Sequence, residues 1–243
     1  MQSAGDFSVK ITNTLTVDVW RQSAAQAQGR FVTYDVTGVS PETTVLELLD
    51  LLNAQLPEGE APVKFDDGCR EGNCGKCGVM VDGVAHGPEY NKASCQQHVR
   101  AFRNGDRVQL EPLRAQSFPV LADLTVDKKK ALRTVVKAAR GPAGMKALTN
   151  AGCISCGACV AACPNGSGQL FVGSLLTELP PLMKDDDERR ERTAQVISTA
   201  DETFGPCSTL GDCTEVCPAG LPLENLSAVA REHLRNQGKT RHT

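Results

Sequence analysis

The sequence has little of several features that would assign it to familiar classes of protein. Only 4% of its 243 residues are aromatic, so few large side chains are available to fill hydrophobic cores. Its formal net charge of −3 argues against a general nucleic-acid or anionic-membrane binder, which needs a basic excess. No apolar run is long enough to form a transmembrane segment. Residues 1–6 do not begin a secretory signal, so we expect a cytoplasmic location.

Motifs for substrate chemistry are also missing from the sequence. It contains no G-x-G-x-x-G run for a dinucleotide and no C-x-x-C-H run for attached haem. No Ser–His–Asp or paired-carboxylate arrangement stands out, and the acidic run Asp185–Asp187 is more typical of a solvated helix start than of a metal site. We therefore predict no catalytic residue in this chain.

Cysteine, in contrast, is abundant, with 11 residues. A reducing cytoplasm disfavours a disulfide framework, and an odd number disfavours complete pairing. Two stretches without cysteine, 57 and 43 residues long, divide the 11 into three groups. The groups are Cys69, Cys74, Cys77 and Cys95; Cys153, Cys156, Cys159 and Cys163; and Cys207, Cys213 and Cys217. This clustering indicates metal ligands or redox centres.

The hydrophobic pattern changes near Pro112, which divides the chain into two predicted domains, residues 1–115 and 116–243. The first pattern predicts strands and one helix, and the second is mostly helical, so the fold class is α+β. The predicted strands are a hairpin from Phe7 to Trp20, then 31–36, 63–65, a strand and turn at 79–84, and a closing strand at 108–112. The predicted helices are one capped by Thr43 or Thr44 and reaching Leu52, then 126–139, 185–200 and 222–236, the last with an apolar stripe of Leu223, Leu226, Val229, Ala230 and Leu234.

The first cysteine group has the spacing of a plant-type [2Fe–2S] site, Cys69-x4-Cys74-x2-Cys77 followed by Cys95. Glycines between these ligands allow a loop to bring backbone N–H groups close to sulfur. A zinc site is the alternative, but it usually pairs two short cysteine knuckles. The histidines at 86 and 98 lack the spacing of Rieske ligands, and we interpret both as ordinary surface residues.

The second group, Cys153-x2-Cys156-x2-Cys159-x3-Cys163-Pro, has the spacing of the bacterial ferredoxin run. In that arrangement three cysteines hold one cluster, and the cysteine before proline crosses to a second cluster. The third group supplies the partner run and also ends in Cys-Pro. On the same template it offers the first, third and fourth ligands, but Leu210 stands at the second position.

Leucine cannot bind iron, so the two runs predict two different clusters. Crossing over gives Cys153, Cys156, Cys159 and Cys217 to a [4Fe–4S] cluster. The other site receives Cys163, Cys207 and Cys213, and three thiolates favour a [3Fe–4S] cluster. A four-iron cluster with a labile water ligand is the alternative. Three clusters in one chain indicate an electron carrier between two partners.

These motifs are similar to those of the iron–sulfur subunit of succinate dehydrogenase and fumarate reductase. The resembling stretches are Cys69-Arg-Glu-Gly-Asn-Cys-Gly-Lys-Cys-Gly, Glu111-Pro-Leu-Arg-Ala-Gln-Ser-Phe-Pro-Val-Leu-Ala-Asp-Leu, and both Cys-Pro runs with the gap at Leu210. The resemblance covers nearly the whole chain. The 17-residue interval between Cys77 and Cys95, and Cys163-Pro-Asn-Gly, resemble the actinobacterial enzymes that use menaquinone.

The resemblance implies a plant-ferredoxin-like β-grasp domain followed by a helical bacterial-ferredoxin-like domain. It implies a flavoprotein partner with covalent FAD that oxidises succinate to fumarate, facing the [2Fe–2S] cluster. It also implies a membrane anchor that binds quinone and often haem b, facing the [3Fe–4S] cluster and holding this chain at the cytoplasmic face of the membrane. Ubiquinone-linked members have a tryptophan and a histidine where this sequence has Gly168 and Ser208, which favours menaquinone.

Three alternatives remain open on the sequence. The same electron path could run in reverse, as a fumarate reductase. The chain could serve another flavin oxidoreductase, although such subunits usually lack the plant-type domain or carry two complete four-iron motifs. It could also be a free multi-cluster ferredoxin, which would be stable alone, whereas a complex subunit would co-purify with its flavoprotein.

Overall fold

The computed structural model describes residues 14–102, 107–139 and 141–237. The strands are β1 (Thr14–Arg21), β2 (Arg30–Thr37), β3 (Val79–Val81), β4 (Val84–Ala85), β5 (Arg107–Pro112), β6 (Val120–Ala122) and β7 (Thr125–Val126). The helices are α1 (Val45–Ala54), α2 (Lys129–Ala138), α3 (Gly141–Asn150), α4 (Ala158–Ala162), α5 (Gln169–Glu178), α6 (Asp186–Thr203), α7 (Asp212–Glu215) and α8 (Glu224–Gln237). The predicted α+β class is confirmed.

Five strands form the N-terminal sheet in the order β2-β1-β5-β3-β4. β1 runs antiparallel to β2 and parallel to β5, so the predicted closing strand is in fact the centre of the sheet. β1 matches the second half of the predicted hairpin, whose first half, from Phe7 to Asn13, lies outside the described residues. The alternation is real, because Leu15, Val17 and Val19 are all buried against α1.

Helix α1 is capped by Thr44, one of the two caps that the sequence predicts, and the structure shows a capping box there. The Thr44 hydroxyl accepts a hydrogen bond from the Glu47 N–H, and the Glu47 carboxylate accepts one from the Thr44 N–H at 2.8 Å. The Thr44 N–H also lowers the pKa of Glu47. The cap fixes where the helix starts, and its apolar face covers the sheet.

The strand predicted at 63–65 is wrong. Val63 is buried, but its N–H and C=O pair with the Asn53 side chain rather than with a neighbouring strand. The Lys64 N–H donates to the Asp123 carboxylate at 2.9 Å, and the Lys64 carbonyl accepts the Leu124 N–H. Side chains thus satisfy three of these four backbone groups, and no neighbouring strand among the described residues forms a ladder here.

The Asp123 side chain links the end of β1 to the segment around Lys64, and we expect it to contribute to the free energy of unfolding. Its buried carboxylate accepts the N–H groups of Gln22 and Lys64 and lies 3.3 Å from the Arg21 guanidinium. Asp123→Ala leaves two N–H donors without an acceptor, and we expect the free energy of unfolding to fall by about 2–4 kcal/mol. Denaturant unfolding followed by circular dichroism measures the change. Asp123→Asn keeps one acceptor and should lose less; an alanine variant as stable as the wild type contradicts the assignment.

The C-terminal half is largely helical, as predicted, but it also contains the β6–β7 hairpin. Helices α6 and α8 confirm the predictions at 185–200 and 222–236, whereas α2 starts at Lys129 because Val126 belongs to the hairpin. Asp185 caps α6 by accepting the N–H groups of Asp187 and Glu188, as expected of a helix start. Helix α5 was not predicted, because residues 170–176 are all buried and show no polar face.

The apolar stripe predicted on α8 is only partly buried. Val229 packs into the core, but Leu223 and Leu234 are 54% and 66% exposed. The buried face of α8 instead includes Glu232, whose carboxylate lies 2.8 Å from the Arg189 guanidinium on α6. Among the described residues, no helix combines the length and apolar character that crossing a bilayer requires.

The two largest hydrophobic cores both include residues of the segment 113–126. Leu124 packs into the N-terminal core, and Phe118 packs into the C-terminal one. The two cores therefore interleave along the chain, and the domain boundary at 115/116 stays a prediction.

Candidate metal centres

The first cysteine group lies on an irregular loop between α1 and β3. The Glu71 N–H donates to Cys69 Sγ at 3.3 Å, and the Cys69 N–H donates to Cys74 Sγ at 3.4 Å. A Cβ on Gly68 would lie 2.7 Å from Cys74 Sγ, so the loop needs glycine where the backbone approaches sulfur. Ion pairs of Arg70 with Asp50 and Asp67, both at 2.6 Å, hold the turn.

Cys77 and Cys95 are the two remaining cysteines of this group, and they lie on its buried side. Both are buried, Cys95 on a short 3-10 turn (Ser94–Gln96), and a hydrogen bond from Cys77 lowers the pKa of Cys95 to about 6. Backbone N–H groups of Glu71 and Asn73 lower the pKa of the Cys69 thiol. The same hydrogen bond raises the pKa of Cys77, so the two thiols share one proton unequally. The N–H donors directed at sulfur suit metal-bound thiolates.

The interpretation of His86 as a surface residue is wrong. Its ring is 1% exposed, Nδ1 accepts the Ser94 N–H at 3.1 Å, and burial lowers its pKa to about 3. His86 is therefore a neutral core residue that fixes the backbone next to Cys95. His98 is partly exposed and lies 3.3 Å from Glu89.

The loops of the second and third cysteine groups have the same backbone conformation. In the second, Ser155 and Gly157 have positive φ angles of 54° and 84°, flanking Cys156. In the third, Thr209 and Gly211 have φ angles of 59° and 90°, flanking Leu210. Both loops direct an N–H at their first sulfur, Ser155 to Cys153 at 3.5 Å and Thr209 to Cys207 at 3.4 Å. Leu210 thus occupies the position that Cys156 occupies in the other run.

The short helices α4 and α7 follow these loops and carry the third cysteine position of each run, Cys159 and Cys213, while Cys163 and Cys217 follow the helices. Each begins after a left-handed glycine, Gly157 or Gly211, and each run ends in Cys-Pro. The two helices pack against each other. The last cysteine of each run consequently lies at the other run's loop.

The side chains consequently meet in two sulfur-lined cavities. Cys153, Cys156, Cys159 and Cys217 line one cavity with the apolar side chains of Leu132, Phe171 and Leu221. Cys163, Cys207 and Cys213 line the other with Ser208, Leu210 and Leu226. The two cavities hold the two sets of cysteines that the crossover predicts, and their assignment as ligands stays a prediction.

The donor chemistry of both cavities fits iron–sulfur clusters. Burial raises the pKa of Cys156 to about 12 and that of Cys159 well above the ordinary range, so a metal must displace their protons to bind. The cavity of Cys163, Cys207 and Cys213 is more open to solvent than the other cavity, and Leu210 is 65% exposed at its rim. Burial raises the pKa of Cys213 less strongly, and the nearby thiols of Cys207 and Cys163 raise it further.

Sequence reasoning missed one buried charge near these sites. Lys128 is 5% exposed and donates to the carbonyl oxygens of Gly75 and Lys76 at 2.7 and 3.1 Å. It stands in a run of three lysines, 128–130, which reads as a solvated face. Nothing in the pattern separates the buried lysine from its exposed neighbours.

Comparison with known proteins agrees with this arrangement. Residues 16–133 match the 2Fe-2S iron-sulfur cluster binding domain, and residues 149–221 match the 4Fe-4S dicluster domain. The fumarate reductase iron-sulfur subunit of Escherichia coli O157:H7 is 31% identical over 209 residues, which are 77% of each chain. That of Wolinella succinogenes is 26% identical over 244 residues, 91% of this chain and 96% of the relative.

One further relative and one solved structure show how far the similarity extends. An uncharacterized iron-sulfur protein of Methanococcus maripaludis is 27% identical over 201 residues, 74% of this chain, but the match spans only 37% of that longer protein. A chain of the Mycobacterium smegmatis Sdh1 complex in the apo form has the same fold, with a TM-score of 0.63 at 20% identity, covering 95% of this chain and 98% of that one. The chain matches both cluster-binding domain families and is 31% identical to a fumarate reductase subunit over most of its length, and it therefore belongs to the iron–sulfur subunits of fumarate reductase and succinate dehydrogenase, the electron-transfer subunits of these oxidoreductases.

Proposed function

We propose that this chain is the electron-transfer subunit of a succinate:menaquinone oxidoreductase of the actinobacterial type. Its clusters, when bound, would carry single electrons from the FAD of a flavoprotein partner, where succinate becomes fumarate, to quinone at a membrane anchor. The ligands are Cys69, Cys74, Cys77 and Cys95 for [2Fe–2S]; Cys153, Cys156, Cys159 and Cys217 for [4Fe–4S]; and Cys163, Cys207 and Cys213 for [3Fe–4S].

The observation that carries the proposal is the repeated loop with one ligand missing. The backbone around Leu210 matches that around Cys156, yet its side chain supplies no donor atom. Three thiolates around one cavity support a three-iron cluster there. The exposed Leu210 beside it disfavours a water ligand held in place by polar groups.

Apolar exposure around this cavity supports an adjacent membrane anchor. Leu210 and Leu223 are 65% and 54% exposed at its rim, and large exposed apolar side chains that cluster indicate a partner surface. The anchor would hold this chain at the cytoplasmic face of the membrane and would bind the quinone and any haem b.

Two positions favour menaquinone over ubiquinone. A Cβ on Gly168 would lie 2.4 Å from the Phe204 ring, so the tryptophan of ubiquinone-linked members would not fit there. Ser208 lines the cavity, with its Oγ 4.0 Å from Cys163 Sγ, in place of their histidine. A quinone pocket built from those two aromatic side chains is thus absent at these positions.

Low-temperature EPR of the purified complex tests the proposal. Oxidised [3Fe–4S] is paramagnetic, whereas oxidised [2Fe–2S] and [4Fe–4S] are silent, so we expect one narrow signal in the air-oxidised sample that is lost on reduction with dithionite. Covalent FAD in a co-purified protein supports the partner. A silent oxidised spectrum in iron-replete protein, or a stable chain that purifies without a flavoprotein, contradicts the proposal.

Fumarate reduction is the second candidate, because the Escherichia coli and Wolinella relatives are fumarate reductase subunits. Both directions use the same ligands, so the cluster content does not distinguish them. The ratio of succinate oxidation to fumarate reduction by the purified complex, assayed with a menaquinone analogue, does. A ratio well below one reassigns the direction and leaves the cluster assignment unchanged.

A further inference from the structure

Lys128 occupies an unusual place for a lysine, buried between two cysteine loops. It precedes helix α2, and its ammonium donates to Gly75 O at 2.7 Å and Lys76 O at 3.1 Å. Those two residues separate Cys74 from Cys77 in the loop assigned to [2Fe–2S]. A buried ammonium costs several kcal/mol unless it is paired, so its retention there requires a compensating interaction.

The loop of the second cysteine group lies directly against the same lysine. A Cβ on Gly157, next to Cys156, would lie 3.6 Å from Lys128 Cδ. The two loops also touch without side chains between them, because a Cβ on Gly75 would lie 2.1 Å from the Ile154 carbonyl oxygen. The stem of Lys128 therefore packs on one ligand loop while its ammonium holds the other.

Charge connects Lys128 to sulfur atoms of both sites. Burial lowers the pKa of Lys128, and the charges of Cys156, Asp66, Cys77 and Cys74 oppose that shift. Salt and water screen such buried interactions weakly. His86, also nearby, is neutral, so the positive charge here belongs to the lysine.

We propose that Lys128 is a positioning residue that fixes the [2Fe–2S] loop against the [4Fe–4S] loop and raises the reduction potentials of both clusters. This inference rests on the proposed function. Each one-electron reduction adds a negative charge, so a fixed cation stabilises the reduced form more than the oxidised form. The third cluster, held by Cys163, Cys207 and Cys213, lies outside the reach of this contact and should be insensitive to it.

The test is an EPR-monitored redox titration of the purified complex with three variants. Lys128→Gln removes the charge but keeps hydrogen-bond donors, Lys128→Arg keeps the charge, and Lys130→Gln removes a charge from an exposed position two residues away. For Lys128→Gln we expect the equilibrium constant for reduction to fall about tenfold at both clusters, which is 59 mV for a one-electron couple. The [3Fe–4S] potential should stay at the wild-type value, as should all three potentials in the other two variants.

The outcomes separate this inference from the function it rests on. A wild-type complex without the three signals contradicts the proposed function before any variant is made. A wild-type complex with all three signals, combined with unchanged potentials in Lys128→Gln, overturns the inference alone. If Lys128→Gln fails to retain the two clusters, retention in Lys128→Arg supports the role of the charge, and loss in both variants overturns it.

Discussion

Replacing Leu210 with cysteine is expected to abolish the EPR signal of the air-oxidised protein. The new thiol would stand where Cys156 stands in the second run, on a loop with matching φ angles at Thr209 and Gly211. Four thiolates would then line the cavity of Cys163, Cys207 and Cys213, and an oxidised [4Fe–4S] cluster is EPR-silent. We expect the oxidised signal to fall by more than about tenfold, with one additional iron per chain.

The result depends on the loop being preorganised for a ligand. A left-handed residue on either side of position 210 directs the backbone around a cluster corner, and the Thr209 N–H is already directed at Cys207 Sγ. The substitution needs no rearrangement, because Leu210 is 65% exposed and supports little of the core. Reduction of the variant should instead produce a second signal of the [4Fe–4S]⁺ type.

The matched control is Leu210→Ala, which removes the same apolar side chain without adding a ligand. It should keep the oxidised signal at wild-type intensity. If Leu210→Ala also loses the signal, the side chain protects the cluster rather than determining its composition. If Leu210→Cys keeps a full oxidised signal, position 210 does not face the missing iron, and the equivalence of the two runs is wrong.

Cysteine spacing predicted how the side chains group, because ligand spacing is a local property of the chain. The exchange of Cys163 and Cys217 between runs is already implied by two Cys-Pro endings, and the two sulfur-lined cavities have that composition. Helix α1 and its cap were equally predictable, since Thr44 acts within the first turn of the helix. These features require no knowledge of distant contacts.

The features that the sequence did not reveal depend on contacts between distant segments. Residues 63–65 alternate like a strand, but Asn53 and Asp123 take up their hydrogen bonds. Helix α5 is buried all round and has no amphipathic period to detect. His86 and Lys128 have polar side chains that usually lie at the surface, and only the packing of two loops encloses them. Tertiary context decides each case.

Removing the two crossing cysteines one at a time should delete opposite clusters. Cys217→Ala is expected to remove the [4Fe–4S] signal of the reduced protein, although Cys153, Cys156 and Cys159 remain intact. Cys163→Ala is expected to remove the oxidised [3Fe–4S] signal, although it lies in the run that supplies the four-iron site. In each variant the affected signal should fall at least about tenfold while the other two clusters persist.

Alanine is the right replacement, because a serine hydroxyl could still bind iron. Glu215→Ala, an exposed position at the end of helix α7 and two residues before Cys217, controls for disturbance of this segment and should leave all signals unchanged. Iron content and EPR of the anaerobically purified complex measure the outcome. Partial loss of protein during purification is expected for Cys217→Ala, because its buried cluster contributes to folding.

The pair of variants distinguishes an exchanged arrangement from two independent sites. Without the exchange, Cys163→Ala would damage the site of Cys153, Cys156 and Cys159, and Cys217→Ala would damage that of Cys207 and Cys213. The contact between α4 and α7 argues against this, since it carries the last cysteine of each run across to the other loop. The exchange also means that neither cluster can form from one run alone. Residues 153–163 and 207–217 must therefore fold together, and cluster assembly is the step that joins them.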